Sequence, residues 1–234
     1  MKNKKWKEFE ELTGKCYRHL AGFGEDRACW QNAYETLKQI LAEERSRTPD
    51  YGAELSQLDE DTDYRCDIQG WMQDYLDEVE MSQEGEGLLQ VCEELLELFQ
   101  WEEDNPSDIK FLKASALGSM NRTDDRAAFC RQWLAEEPEN ISAVTASIYA
   151  SLASGELETA GQLIKQHIRE ETQCTEENDI LFTAASIYYQ KTGNKKEKKR
   201  IDQELKKYEK FLEEFFMGGG EDEMAWGDDE FPFI

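Results

Sequence analysis

Residues 146–156 read Ala-Ser-Ile-Tyr-Ala-Ser-Leu-Ala-Ser-Gly-Glu, and residues 185–195 read Ala-Ser-Ile-Tyr-Tyr-Gln-Lys-Thr-Gly-Asn-Lys. The same four residues recur thirty-nine positions apart, each time with a glycine within six residues of the tyrosine. A shared tetrapeptide with the same turn signal behind it marks a repeated structural unit, because a glycine there ends a helix. Apolar residues elsewhere recur at three- and four-residue spacing and strand-like alternation is nearly absent, so the repeated unit is helical.

The periodicity predicts ten helices. The first, over 4–21, buries Trp6, Phe9, Leu12, Cys16 and Leu20, and the second, over 26–45, buries Cys29, Trp30, Ala33, Leu37, Ile40 and Leu41. Residues 46–61 contain a proline and a glycine and read as a loop with a short helical turn. Further helices are expected at 63–80, 86–101, 107–120, 124–136, 140–153, 156–171, 176–191 and 194–216. The polar or glycine-containing links between them are short, which sets consecutive helices antiparallel. The chain then reads as five hairpins, at 4–45, 63–101, 107–136, 140–171 and 176–216, within a helical domain covering 1–216. Residues 217–234 form a glycine hinge and an acidic-aromatic tail.

A second pair of landmarks repeats. Trp101 precedes Pro106, and Trp133 precedes Pro138, thirty-two residues apart; Ala114-Ser115 and Ala146-Ser147 share that offset. The two tryptophans are therefore expected at equivalent places on successive second helices. Ala146 and Ala185 are expected at close helix–helix contacts, where a small side chain lets helices approach.

A helical hairpin repeating every 32–39 residues resembles the tetratricopeptide repeat, whose unit has 34 residues. Phe182, Ala185, Ser186 and Tyr189 match the large, small and aromatic positions of that repeat's first helix, and Gly193 matches its turn. Pro106 and Pro138 resemble the proline that closes a unit, and Ala160 the small inward residue of a second helix. No unit has the family's glycine at the small eighth position, and Lys198 stands where alanine is usual. The resemblance is clear over 85–216. It implies an all-α right-handed solenoid of stacked antiparallel hairpins whose first helices line a peptide-binding groove. Carried over by position, that groove consists of Ser115, Ser119, Ser147, Ser151, Thr183, Ile187 and Lys191.

Charge bounds the partners. The chain carries 52 acidic and 27 basic side chains, a net charge of −25. Such a charge repels nucleic-acid phosphates and anionic membrane surfaces. The expected partner is a protein or peptide, with neither nucleic acid nor membrane. The N-terminus lacks the apolar core of a signal peptide, and the cysteines lie far apart inside helical patterns. This reads as a cytoplasmic protein with reduced, buried thiols.

No constellation for catalysis is legible. His19 and His167 lack partners at metal spacing, and there is no His-Glu-x-x-His, no phosphate-cradling glycine loop and no Gly-x-Ser-x-Gly. The expectation is a non-enzyme with no cofactor and no metal. Two features stand out instead. Residues 195–210 hold eight basic and four acidic residues within an acidic chain; they read either as a solvated last helix or as a face for acidic sequence. The tail after Gly218–Gly220 spaces Met224, Trp226, Phe231, Phe233 and Ile234 with acids, a pattern of docking segments. These readings converge on a non-catalytic adaptor that binds a peptide or partner protein in a helical-repeat groove, with the tail docking on this chain itself or on a partner. The alternative is an acidic mimic or chaperone that shields a basic, nucleic-acid-binding partner.

Overall fold

The computed structural model describes residues 4–24, 26–82 and 85–218. The tail expected to dock, with Met224, Trp226, Phe231, Phe233 and Ile234, lies outside the described residues. Among the described residues the fold is all-helical. Its elements are α1 (Lys5–Leu20), α2 (Ala28–Arg45), α3 (Leu55–Asp61), α4 (Ile68–Met81), α5 (Gly85–Leu98), α6 (Ser107–Ser119), α7 (Thr123–Glu136), α8 (Ile141–Ser154), α9 (Leu157–His167), α10 (Asp179–Thr192) and α11 (Lys195–Gly218). The chain divides into two compact units, residues 1–130 and 131–234, and the division falls inside α7.

The N-terminal unit is built on aromatic rings. The helical spacing of Trp6 and Phe9 on α1, Trp30 and Tyr34 on α2, and Trp71 and Tyr75 on α4 turns all six inward. Phe9 meets Trp71 edge-on at 5.1 Å between ring centroids, and Trp71 stacks on Tyr75 at 5.5 Å and on Trp30 at 6.1 Å. Rings at these separations add directional attraction to the area they bury. α1 packs on α2, α3 on α4, α4 on α5 and α5 on α6. Leu20, expected in the core, is 50% exposed, because α1 ends there and the chain turns away through Ala21. Thr13 is buried instead, its hydroxyl donating to the Glu10 carbonyl.

Carboxylates organise the irregular segments of this unit. Buried Asp59 accepts from the backbone N–H of Ile68 and of Gln69, two first-turn donors that α4 cannot satisfy internally. Buried Glu54 accepts from the N–H of Glu102 and of Asp104, while Asp104 accepts from the N–H of Ser56 at the start of α3. The Arg45 guanidinium donates to the carbonyls of Tyr51, Gly52 and Leu98, joining the end of α2 to the loop and to the end of α5. α4 therefore starts at Ile68 rather than at 63. Asp63, Tyr64 and Asp67 all have positive φ, which no α-helix accommodates.

Trp101 and Trp133 do not occupy equivalent places, which corrects the register drawn through them. Trp133 lies within α7 and is 1% exposed. Trp101 lies beyond the end of α5 with φ of 58°, and its indole N–H donates to the carbonyl of Leu95. It closes the C-terminus of α5, where the last four carbonyls lack helical partners.

In the C-terminal unit the repeated motif becomes repeated structure. α8 and α10 are both fourteen residues long. Each ends on its glycine in the left-handed region, Gly155 at φ 78° and Gly193 at φ 72°, a conformation that costs glycine little. α8 packs on α9 and on α10, and α10 packs on α9 and α11. Ala146 and Ala185 are buried, at 1% and 0% exposure, as expected for close helix approach. α9 is shorter than expected, ending at His167, because Ile168 takes an extended conformation and turns its side chain into the core.

Candidate interaction surface

The seven positions of the expected groove fall in different settings. Ser115 and Ser119, on α6, line a small cleft of about 360 Å³ with Val79, Glu80, Leu88 and Ala116. The Ser119 hydroxyl donates to the carbonyl of Ala116. The other five belong to the C-terminal unit. Ser147 and Ser151 are buried in α8. Thr183 and Ile187 are exposed on α10, and the Thr183 hydroxyl donates back to the Asp179 carbonyl. The Lys191 ammonium donates to the Leu152 carbonyl at the end of α8. Lys113, also on α6, pairs with Glu93 and lies over the Phe129 ring.

Among the described residues a run of exposed aromatic side chains lies elsewhere, on the C-terminal half of α11. This helix has 24 residues against 14 in α10, the helix it packs on. Ile201 is buried and Leu205 half-buried against that unit's core. Beyond them α11 outruns its support, and its apolar stripe continues through Tyr208, Phe211, Leu212, Phe215 and Phe216. These positions follow helical spacing and so share a face. Phe211, Phe215 and Phe216 are 57%, 67% and 77% exposed. The rings run in series, Tyr208 to Phe211 at 6.5 Å, Phe211 to Phe215 at 6.2 Å and Phe215 to Phe216 at 5.5 Å.

This stripe forms one wall of a groove of about 880 Å³. The facing wall is the segment between α9 and α10, with Gln173, Cys174, Thr175 and Glu176. The polar rim consists of Glu176, Glu204 and Lys207, the last two paired at 2.5 Å. Burial, with Asp179 nearby, pushes the Cys174 thiol up to about 11, so it lies there as a neutral thiol. Burial and the carboxylates of Glu176 and Asp179 raise the Tyr208 phenol as well. An apolar groove with neutral polar groups holds a hydrophobic ligand by shape and area.

The basic segment 195–210 forms the first two-thirds of α11 and is laced with ion pairs along the helix. Lys198 meets Asp202 at 2.6 Å, Arg200 meets Glu197 at 3.0 Å, and Lys210 meets Glu214 at 3.2 Å. This is the arrangement of a solvated helix face. The greater length of α11 is close to the sequence expectation of 194–216 against 176–191 for the helix before it; that nothing among the described residues covers the stripe depends on packing, which periodicity does not encode.

Among the described residues no group of three or more His, Cys, Asp or Glu side chains converges as a metal site. No helix there is long and apolar enough to cross a membrane. His19 accepts from the Trp30 indole N–H, a structural contact. The chain matches no protein-family model, no curated protein and no solved structure.

Proposed function

We propose that this protein is a non-catalytic interaction adaptor, and that it docks a partner polypeptide on the aromatic groove of α11 and residues 173–176. The observation that carries this reading is the row of exposed rings at Phe211, Phe215 and Phe216. Contiguous exposed aromatics on an otherwise charged chain mark a surface kept for a partner. Burying each such side chain completely is worth about 1.5–3 kcal/mol, a favourable term set against the rigid-body cost of association.

The C-terminal unit further supports a reading as stacked tetratricopeptide-like hairpins. In its favour stand the paired fourteen-residue helices α8 and α10, their glycine caps, and the packing of α10 on both α8 and α9. Ile148 is buried within the core shared with α10, while Ile187, its counterpart in the second copy of the motif, is 44% exposed.

Affinity capture with the full chain tests the function. Wild type is compared with the double substitution Phe211→Glu and Phe215→Glu, each at low and high salt, with circular dichroism confirming that both fold. The adaptor reading expects partners that survive high salt and are lost on the double substitution. Partners that vanish with salt and ignore the substitution point instead to charge-driven shielding of a basic protein.

A further inference from the structure

The first occupant of this groove is written into the same chain. We propose that residues 221–234 fold back in cis and lie along the aromatic face of α11, with Met224 and Trp226 seated against Phe215 and Phe211. The inference rests on the docking role assigned to the groove and names what fills it when no partner is bound.

Four observations carry it. First, the position: residues 219–234 begin where α11 ends, at the end of the groove nearest Phe216. Gly219 and Gly220 follow directly, and glycine accepts the backbone angles that a reversal would need. Second, the reach: the helix from Glu204 to Phe216 spans ~18 Å at ~1.5 Å per residue. An extended chain covers that in about six residues at ~3.3 Å each, well within the sixteen that follow.

Third, the pattern: Met224 and Trp226 are two apart, as are Phe231 and Phe233. An extended chain directs residues two apart to the same side. In an extended chain Met224 and Trp226 thus face the apolar wall together, while Phe231 and Phe233, an odd number of residues further on, face the opposite side; a groove of about 880 Å³ has room for an indole and a thioether side chain. Fourth, the charge: a chain running back along α11 carries Asp228, Asp229 and Glu230 away from Glu213 and Glu214 and toward the basic segment 195–210. It brings acids to the most basic stretch of a chain whose net charge is −25. The rim carboxylates of Glu176 and Glu204 oppose this locally, so apolar contact rather than ion pairing holds the tail.

A partner must therefore displace the tail, and the groove is bound most readily by segments of the same acidic-aromatic type.

Hydrogen exchange on the full chain tests this directly. Amides of 224–231 are expected to exchange at least about tenfold more slowly than an unprotected chain. The protection should be equal at concentrations about a hundredfold apart, since docking in cis does not depend on mass action. It should vanish in the Phe211→Glu, Phe215→Glu double substitution, and in Trp226→Ser, which leaves the body of the protein untouched. Alkylation of Cys174 by iodoacetamide should be faster in Trp226→Ser than in wild type, because the tail no longer covers the groove. Exchange at the unprotected rate in wild type overturns the proposal. Protection that rises with concentration places the tail on a second copy, and protection that survives both substitutions places it elsewhere; either result also overturns it. An unprotected tail with partner capture still lost in the groove variant would refute this inference alone. A protected tail with no captured partner would refute the adaptor reading and leave this one standing.

Discussion

The carboxylate of Asp59 takes the backbone N–H groups of Ile68 and Gln69 out of deficit, and it does so while 2% exposed. Replacing it with alanine strands two donors in a dry environment, at about 1–3 kcal/mol for the unsatisfied groups. Asp59→Ala is thus expected to lower the urea midpoint of the N-terminal unit, while Asp59→Asn, which keeps one acceptor, loses less. Equal midpoints for wild type and Asp59→Ala would show that α4 is not capped from this side chain. The cysteines act at the same scale. Burial pushes the thiols of Cys16 and Cys92 to about 12, and that of Cys174 to about 11. The thiolate is the form that reacts, so at neutral pH all three are poor nucleophiles. Iodoacetamide should modify the folded chain slowly and at Cys174 first, since that side chain is half-buried and the other two are enclosed. Rapid labelling of Cys92 would contradict the packing described for α5.

At the scale of elements, α8 and α10 show what a repeated motif determines. Ala185 is fully buried where α10 packs, and Ala185→Leu forces three extra carbons into that contact. The expected cost is roughly 1–3 kcal/mol, read as a lower thermal midpoint with wild-type helicity. An unchanged midpoint would mean that the contact is slack. The sequence made α8 and α10 legible because their turns rest on a local rule: a helix that ends in the left-handed region favours glycine there. Local rules also located α2, α6 and α7 to within a few residues. They failed where distant groups decide the backbone. α4 starts late because Asp59, nine residues before it, accepts from the N–H groups of Ile68 and Gln69 while the N-cap Asp67 accepts from that of Gly70, and because Asp63, Tyr64 and Asp67 adopt positive φ. Trp101 read as a helical repeat position, yet its indole is drawn back to the Leu95 carbonyl. Ser147 and Ser151 look available in a one-dimensional register, and the packing around α8 buries them. The aromatic half of α11 has clear helical spacing, but that nothing among the described residues covers it depends on packing.

Across the whole molecule, charge and apolar surface are distributed unequally. A net charge of −25 repels anionic surfaces, while 195–210 hold eight of the 27 basic residues and the exposed rings of Phe211, Phe215 and Phe216 follow directly on the same helix. One helix thus carries both a basic segment and a stripe of exposed aromatic rings. That combination makes α11 the candidate docking element. A photo-crosslinking residue at Phe215, compared with the same residue at Ile187 on the exposed face of α10, tests the claim where it is made. Irradiation in cells, followed by mass analysis, reports what touches each position. The account predicts crosslinked species heavier than the single chain from position 215, and none above background from position 187. Adducts that form from position 187 and not from position 215 would contradict it, and would move the docking surface to α10.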